Sequence, residues 1–276
     1  MTTSSKNRAN TREHAKSAAF VWGVARKLLG KRTESAQGLE ETLQGIIDAS
    51  TVASFVSSFP RSNTEVTGRF DDTLTRSYRK SHGVYFTPTG LAERMATWLP
   101  AGSGWVVDPT CGDGELLVAA ARHGHRVWGV EQDPFAALVA AIRLKAIDAD
   151  AFIVCGDGLD PDAWPDDVKS SIVNPPYVGE KGNKSLFDDL RTRWPDLTPA
   201  FSPRMDLAYL FWWRVIQWSP HAVVLASEYW LWADAAQGVR QEMAKKLPAR
   251  WLFRLGAGQF SSAPGHHSLV AVCDQR

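Results

Sequence analysis

Five short apolar runs, most of them followed by a helical pattern, constrain this chain more than any other feature. They are GWVVD (104–108), RVWGVE (126–131), AFIVCGD (151–157), SSIVN (170–174) and AVVLASE (222–228). Most lack an apolar/polar alternation, so they read as strands buried on both faces. Between them, apolar residues recur at helical spacing over Glu115–Arg122, Pro134–Lys145, Met205–Trp218 and Asp234–Lys246. Strand alternating with helix predicts an α/β fold, a doubly wound and mostly parallel sheet with helices on both faces. RWLFRLG (250–256) and SLVAVCD (268–274) close the chain with no room for a helix between them. They are expected to pair antiparallel, as a hairpin at a sheet edge.

The first 80 residues read differently. Residues 1–15 are polar and are expected to be disordered. Ala18, Val21, Trp22, Ala25 and Leu28 then recur at helical spacing over Glu13–Leu29, with Gly30 as a stop. Leu39–Phe59 reads as a second helical segment. This gives a helical N-terminal extension, 1–80, ahead of an α/β domain, 81–276. The net charge of +1 does not announce a polyanionic partner. Residues 1–36 nevertheless carry eight Lys and Arg against two Glu, a pattern that suits phosphate contact and equally suits a solvated helix face. Cys111, Cys155 and Cys273 are scattered, in no metal-binding spacing, and suit a reducing cytoplasm. No apolar run is long enough for a membrane span, and no metal is implied.

The strand ends carry the chemistry. In VVDPTCGDGELL (106–117) a strand ends at Asp108, a turn containing Thr110, Gly112 and Gly114 follows, and a helix starts near Glu115. This is the first βα turn of a nucleotide-binding half, where glycines let backbone approach a ligand. The turn is acidic and lacks the Lys-Ser/Thr of a phosphate loop, so a ligand with a cationic centre fits it better, such as the sulfonium of S-adenosylmethionine. Glu131 ends the second strand and can accept from ribose hydroxyls. Asp157 ends the third and can accept from an adenine amino group. Each alone reads as a solvated strand end, but three in succession point to the rim where doubly wound sheets bind ligands.

The fourth strand brings Asn174, Pro175, Pro176 and Tyr177 to the same rim. Neither proline can extend a ladder, and the residues before them are held extended. An amide oxygen and the Pro175 carbonyl can accept both N–H bonds of an exocyclic amine, and Tyr177 can stack on its ring. This resembles the D/N-P-P-Y/F/W motif of S-adenosylmethionine-dependent amino-methyltransferases, which act on adenine N6, cytosine N4 or protein glutamine. The resemblance implies direct in-line transfer, with Asn174 as a neutral acceptor and not a base.

RKSHGVYFTPTGLAERMATWL (79–99) resembles the segment preceding the cofactor strand in gamma-class DNA adenine-N6 methyltransferases, including the modification subunits of type I and the domains of type IIG restriction-modification systems. Tyr85, Thr87 and Pro88 match its cofactor-lining positions. The same Thr87-Pro88 pair also reads as a helix start, with Thr87 as cap. DLAYLF (206–211), VVLASEYWLWADAAQGVRQEM and LGAGQFSSAPGHHSLVAV extend the likeness to about 79–273, with Phe260 at the position beside the target base. The resemblance implies the class I methyltransferase fold, S-adenosylmethionine as cofactor, DNA as partner, and site-specific methylation of adenine N6 on a base turned out of the duplex. A protein glutamine N5- or cytosine N4-methyltransferase, and a non-catalytic DNA-binding subunit, stay open. The chain stops at Arg276, where the family places its recognition domain. Target reading is therefore expected from a specificity subunit, a restriction partner or the N-terminal extension, with Phe20, Val21, Trp22 and Leu28 a candidate docking stripe. The aromatics of YLFWWRVIQW are expected to be core, and His266 and His267 a solvated loop.

Overall fold

The computed structural model describes residues 17, 20–29, 36–57, 87–260 and 264–275. Among these the helices are α1 (20–29), α2 (Ala36–Leu43), α3 (Ala49–Ser57), α4 (Thr89–Ala96), α5 (Glu115–Arg122), α6 (Pro134–Lys145), α7 (Lys184–Arg193), α8 (Ala208–Trp218) and α9 (Gln237–Lys246). The strands are β1 (Trp105–Asp108), β2 (Arg126–Glu131), β3 (Ala151–Cys155), β4 (Val168–Val173), β5 (His221–Ser227), β6 (Ala249–Gly256) and β7 (Ser268–Asp274).

The seven strands form one sheet in the order β3-β2-β1-β4-β5-β7-β6. The first five are mutually parallel, and β7 runs antiparallel to both β5 and β6. The chain order reverses between β1 and β4, which is where such sheets open a ligand crevice. The expected terminal hairpin forms at a sheet edge, with β7 pairing to β5 and β6 outermost. Arg250, Trp251 and Leu252 of β6 are exposed, while six of seven β7 residues are buried.

Successive strand residues point to opposite faces, and both faces are covered. Val106, Ile172, Val223 and Leu225 join one apolar cluster; Val107, Val173, Ala222 and Val224 join the other. Burying each of the Val, Ile and Leu side chains among them stabilises the fold by roughly 1.5–3 kcal/mol. The first cluster also holds α4, α5 and α6. The second holds α7, α8 and α9, including Phe211 and the fully buried Trp212, which stacks on Trp230 at 4.7 Å. The aromatic run is therefore core, as expected.

Val21, Trp22, Val24 and Ala25 of α1 belong to the first cluster with Leu39, Leu43 and Val52 of α2 and α3. Val21 and Trp22 are thus committed to this chain's own core, which corrects their reading as a docking stripe; Leu28 alone of the buried-face candidates stays exposed. The expected single helix over Leu39–Phe59 is broken in two. Gly45 has φ +81°, and the backbone beyond it leaves the helix to meet the sheet. Ile46 C=O accepts from Ile153 N–H at 2.7 Å, and Ile47 bridges Ile153 in parallel. The N-terminal segment thereby covers part of the β3 edge, which would otherwise expose unpaired backbone groups.

Candidate active site

The turn after β1 is shaped by contacts a side chain would block. Gly114 caps α5 with φ +82°, and a Cβ there would lie 2.9 Å from Ala140 Cβ on α6. Gly114 therefore lets two helices touch and does not line the crevice. Gly158 plays the comparable part between loops, since its Cβ would fall 1.8 Å from the Pro109 carbonyl oxygen.

The crevice beyond β1, β2, β3 and β4 is a cavity of about 400 Å³, within the range of small-molecule sites. Thr87, Asp108, Thr110, Gly112, Glu131, Asp157, Asn174 and Pro176 all line it. The residues read from strand ends and loops thus converge, Thr87 and Asn174 from positions 87 apart in sequence. Pro88 stays behind Thr87. It occupies the cap position of α4 with no side-chain cap bond, so Thr87 is not the helix cap. Its hydroxyl oxygen instead accepts from Asn174 Nδ2 at 3.1 Å. Tyr85 lies outside the described residues.

Two carboxylates face the cavity without a cationic partner among the described residues. Asp108 is buried and accepts from Thr110 N–H at 3.0 Å. Desolvation pushes its pKa up to about 8, opposed by the Thr110 donors. Glu131 Oε2 accepts from Gly112 N–H at 2.9 Å and Oε1 from Asp133 N–H at 2.8 Å. The residue keeps some surface open to the cavity while its carboxylate is enclosed, and desolvation raises it to about 7. Buried carboxylates of this kind are completed by a ligand that brings donors or positive charge.

The other acids are paired. Arg143 on α6 reaches Asp113 at 3.0 Å and also binds Glu115, so the acidity of the turn rests on Asp108 and not on Asp113. Asp157 Oδ1 accepts from Leu159 N–H at 3.0 Å, and Oδ2 accepts from Arg193 at 3.0 Å and Trp194 Nε1 at 3.3 Å. Arg193, Leu186 and Leu190 line the cavity from α7, a helix that sequence reasoning passed over. Its signal was the pair Phe187 and Leu190, three residues apart and both buried, inside an otherwise charged segment. Arg143 gave no local signal, since its acidic partners come from other elements; Arg193 pairs with Asp189 four residues earlier on α7 as well as with Asp157, and only the first contact is marked in the sequence.

At the end of β4, Asn174 Oδ1 accepts from the Tyr177 hydroxyl at 3.3 Å, and the same hydroxyl donates to the Leu225 carbonyl of β5 at 3.0 Å. Burial drives the Tyr177 pKa far upward, so it stays a neutral donor. The Pro175 carbonyl accepts no hydrogen bond among the described residues. The following loop is pinned by Asp206, whose segment pairs with Gly179 and returns Leu207 N–H to Val178 C=O at 2.9 Å. Tyr177 and Phe260 stand outside the cavity lining. Both meet His266, whose ring lies 5.5 Å from Tyr177 and 6.4 Å from Phe260. His267 is exposed, 4.0 Å from the buried Glu228, but His266 is not the solvated loop residue expected. The geometry thus joins an acceptor-rich crevice for a small ligand to a neutral amide and an aromatic group beside it.

The type II methyltransferase M.VspI of Vibrio sp. (strain 343) is 28% identical over 167 residues, which is 56% of this chain and 38% of that protein. This chain thus spans well under half the length of that curated relative. The type IIG restriction endonuclease BpuSI superposes with a TM-score of 0.65 at 16% identity, over 95% of this chain and 36% of that one. The methyltransferase subunit of a type I restriction-modification system from Streptococcus thermophilus superposes at 0.57 with 18% identity, over 83% and 53%. These two likenesses show the fold: a class I methyltransferase sheet with antiparallel C-terminal strands. The family model described as N-6 DNA Methylase matches residues 70–261, and the chain belongs to that family.

Proposed function

We propose that this chain transfers a methyl group from S-adenosylmethionine to the N6 amine of adenine in DNA, on a base turned out of the stack. The observation that carries the reading is the Asn174 amide, bonded to Thr87 at the edge of a crevice that holds two acids without a cationic partner among the described residues. When bound, S-adenosylmethionine supplies an electrophilic methyl group on a sulfonium. Glu131 accepts from the ribose, Asp157 from the adenine amine beside its Arg193 contact, and Asp108 complements positive charge. Thr87, Thr110 and the backbone of Gly112 complete that cradle, with Gly114 setting its shape from behind. Asn174 Oδ1 and the Pro175 carbonyl accept the two N6 hydrogens, which directs the nitrogen lone pair away from its ring. Pro176 stiffens the turn. Tyr177 and Phe260 hold the base by ring contact. No residue of the motif acts as a base; the proton leaves N6 to water after transfer. Orientation and electrostatics supply the rate.

Asn174→Ala tests this. Transfer to DNA is expected to fall on the order of 100-fold or more, the scale for loss of a preorganised polar contact to the reacting group. Calorimetry is expected to find S-adenosylmethionine binding preserved. A variant that keeps the parental transfer rate contradicts the reading.

A further inference from the structure

His266 has a contact set that the proposed reaction does not yet use. It follows Gly265 in the loop just before β7, and its ring meets both Tyr177 of the Asn-Pro-Pro-Tyr turn and Phe260. Its Nε2 is buried and has no hydrogen-bond partner among the described residues. A buried polar atom left unpaired destabilises the free protein, and of the buried side-chain atoms in this state among the described residues, His266 Nε2 is the one whose ring meets both Tyr177 and Phe260. The neighbouring His267 does not share this setting; it is exposed and faces Glu228.

From this geometry we propose that His266 is a base-contacting residue, donating Nε2–H to a ring nitrogen of the everted base. The inference rests on the proposed function and deepens it. Asn174 and Pro175 take both hydrogens of the exocyclic amine. What an adenine edge has left to offer there is acceptor nitrogens, so the partner they need is a donor. Burial, with His267 beside it, lowers the pKa of the His266 imidazole. The ring is therefore neutral at neutral pH and carries one N–H, which suits a single directed bond and no proton transfer. With Tyr177 and Phe260 supplying ring contact, His266 supplies the polar contact that fixes the rotation of the base in its slot.

The test compares the full-length chain with His266→Phe and His266→Gln. The readouts are tritiated methyl transfer from S-adenosylmethionine to unmethylated genomic DNA, cofactor binding by calorimetry, and melting temperature. His266→Phe keeps a ring and removes the nitrogens. It is expected to lose roughly tenfold in kcat/KM for DNA, the scale of one lost hydrogen bond. Its melting temperature should equal or exceed that of the parent, because the unpaired atom is gone, and cofactor affinity should be unchanged. His266→Gln returns an amide donor to the slot and is expected to recover part of the loss. A His266→Phe chain as active as the parent overturns the proposal. So does a more active one, which would make His266 an obstruction, and so does a variant whose activity falls only because its melting temperature falls. A parent chain that transfers methyl groups to no DNA overturns the proposed function itself, and this inference with it.

Discussion

Asn174 Nδ2 donates to Thr87 Oγ1 at 3.1 Å, a bond that joins the residue ahead of the Pro88 cap of α4 to the residue after β4 across 87 positions. It ties together two residues that line the crevice, and in the proposed reaction it anchors the amide that accepts from the N6 amine. Thr87→Val keeps the shape and removes the hydroxyl. Its kcat should fall about 2- to 10-fold, matching one neutral hydrogen bond of roughly 0.5–1.5 kcal/mol, with a smaller change in cofactor affinity. Thr87→Ser should restore the rate in steady-state assays. An unchanged kcat in Thr87→Val would show that the amide is held by other contacts.

Asp108 and Glu131 make both stability and binding depend on pH. Their folded pKa values are raised by burial to about 8 and about 7, so the folded free protein holds protons that the unfolded chain has released. Stability from these groups is full below the ordinary carboxylate range and is lost as pH rises through about 7 to 8. A ligand that donates to the carboxylates favours their ionised form. Its affinity should therefore rise across pH 6 to 8 and level off above, with proton release on binding. Titration calorimetry in buffers of different ionisation heat measures both. Affinity that is flat from pH 6 to 8 would mean that the acids are not the ligand's acceptors.

Gly114 carries no proposed ligand contact, yet Gly114→Ala should be costly. The new Cβ would meet Ala140 Cβ at 2.9 Å on a backbone at φ +82°. Overpacking and the left-handed conformation together cost about 1–3 kcal/mol, or roughly 2–4 °C of melting temperature per kcal/mol in a chain of this size. Adding Ala140→Gly should return the packing part and leave the backbone part. Full rescue would show that φ at this position matters little.

Strands and most helices were legible because their signals are local. The α6 bounds follow from Pro134 at its first turn, Asp133 accepting from Phe135 N–H at 2.8 Å, and an unbroken apolar run. What was not legible depends on partners far away in sequence. The break at Gly45 exists because Ile153 recruits the Ile46 carbonyl. β7 lies inside the sheet because β5 needed a partner. The acidic strand ends were visible as a rim, since strand ends in a parallel sheet meet on one side. The pairing of Asp113 with Arg143 and of Asp157 with Arg193 was not, because residues 30 and 36 positions apart carry no mark of their meeting. His266 was read as solvated because nothing in Gly-His-His tells which ring turns toward Tyr177.

The central claim is adenine N6 chemistry, and nucleoside analysis tests it most directly. Unmethylated genomic DNA is incubated with the purified chain and S-adenosylmethionine, digested to nucleosides and resolved by mass spectrometry. N6-methyldeoxyadenosine is expected to appear with the parent chain and to be lost with Asn174→Ala. N4-methyldeoxycytidine without N6-methyldeoxyadenosine would contradict that claim.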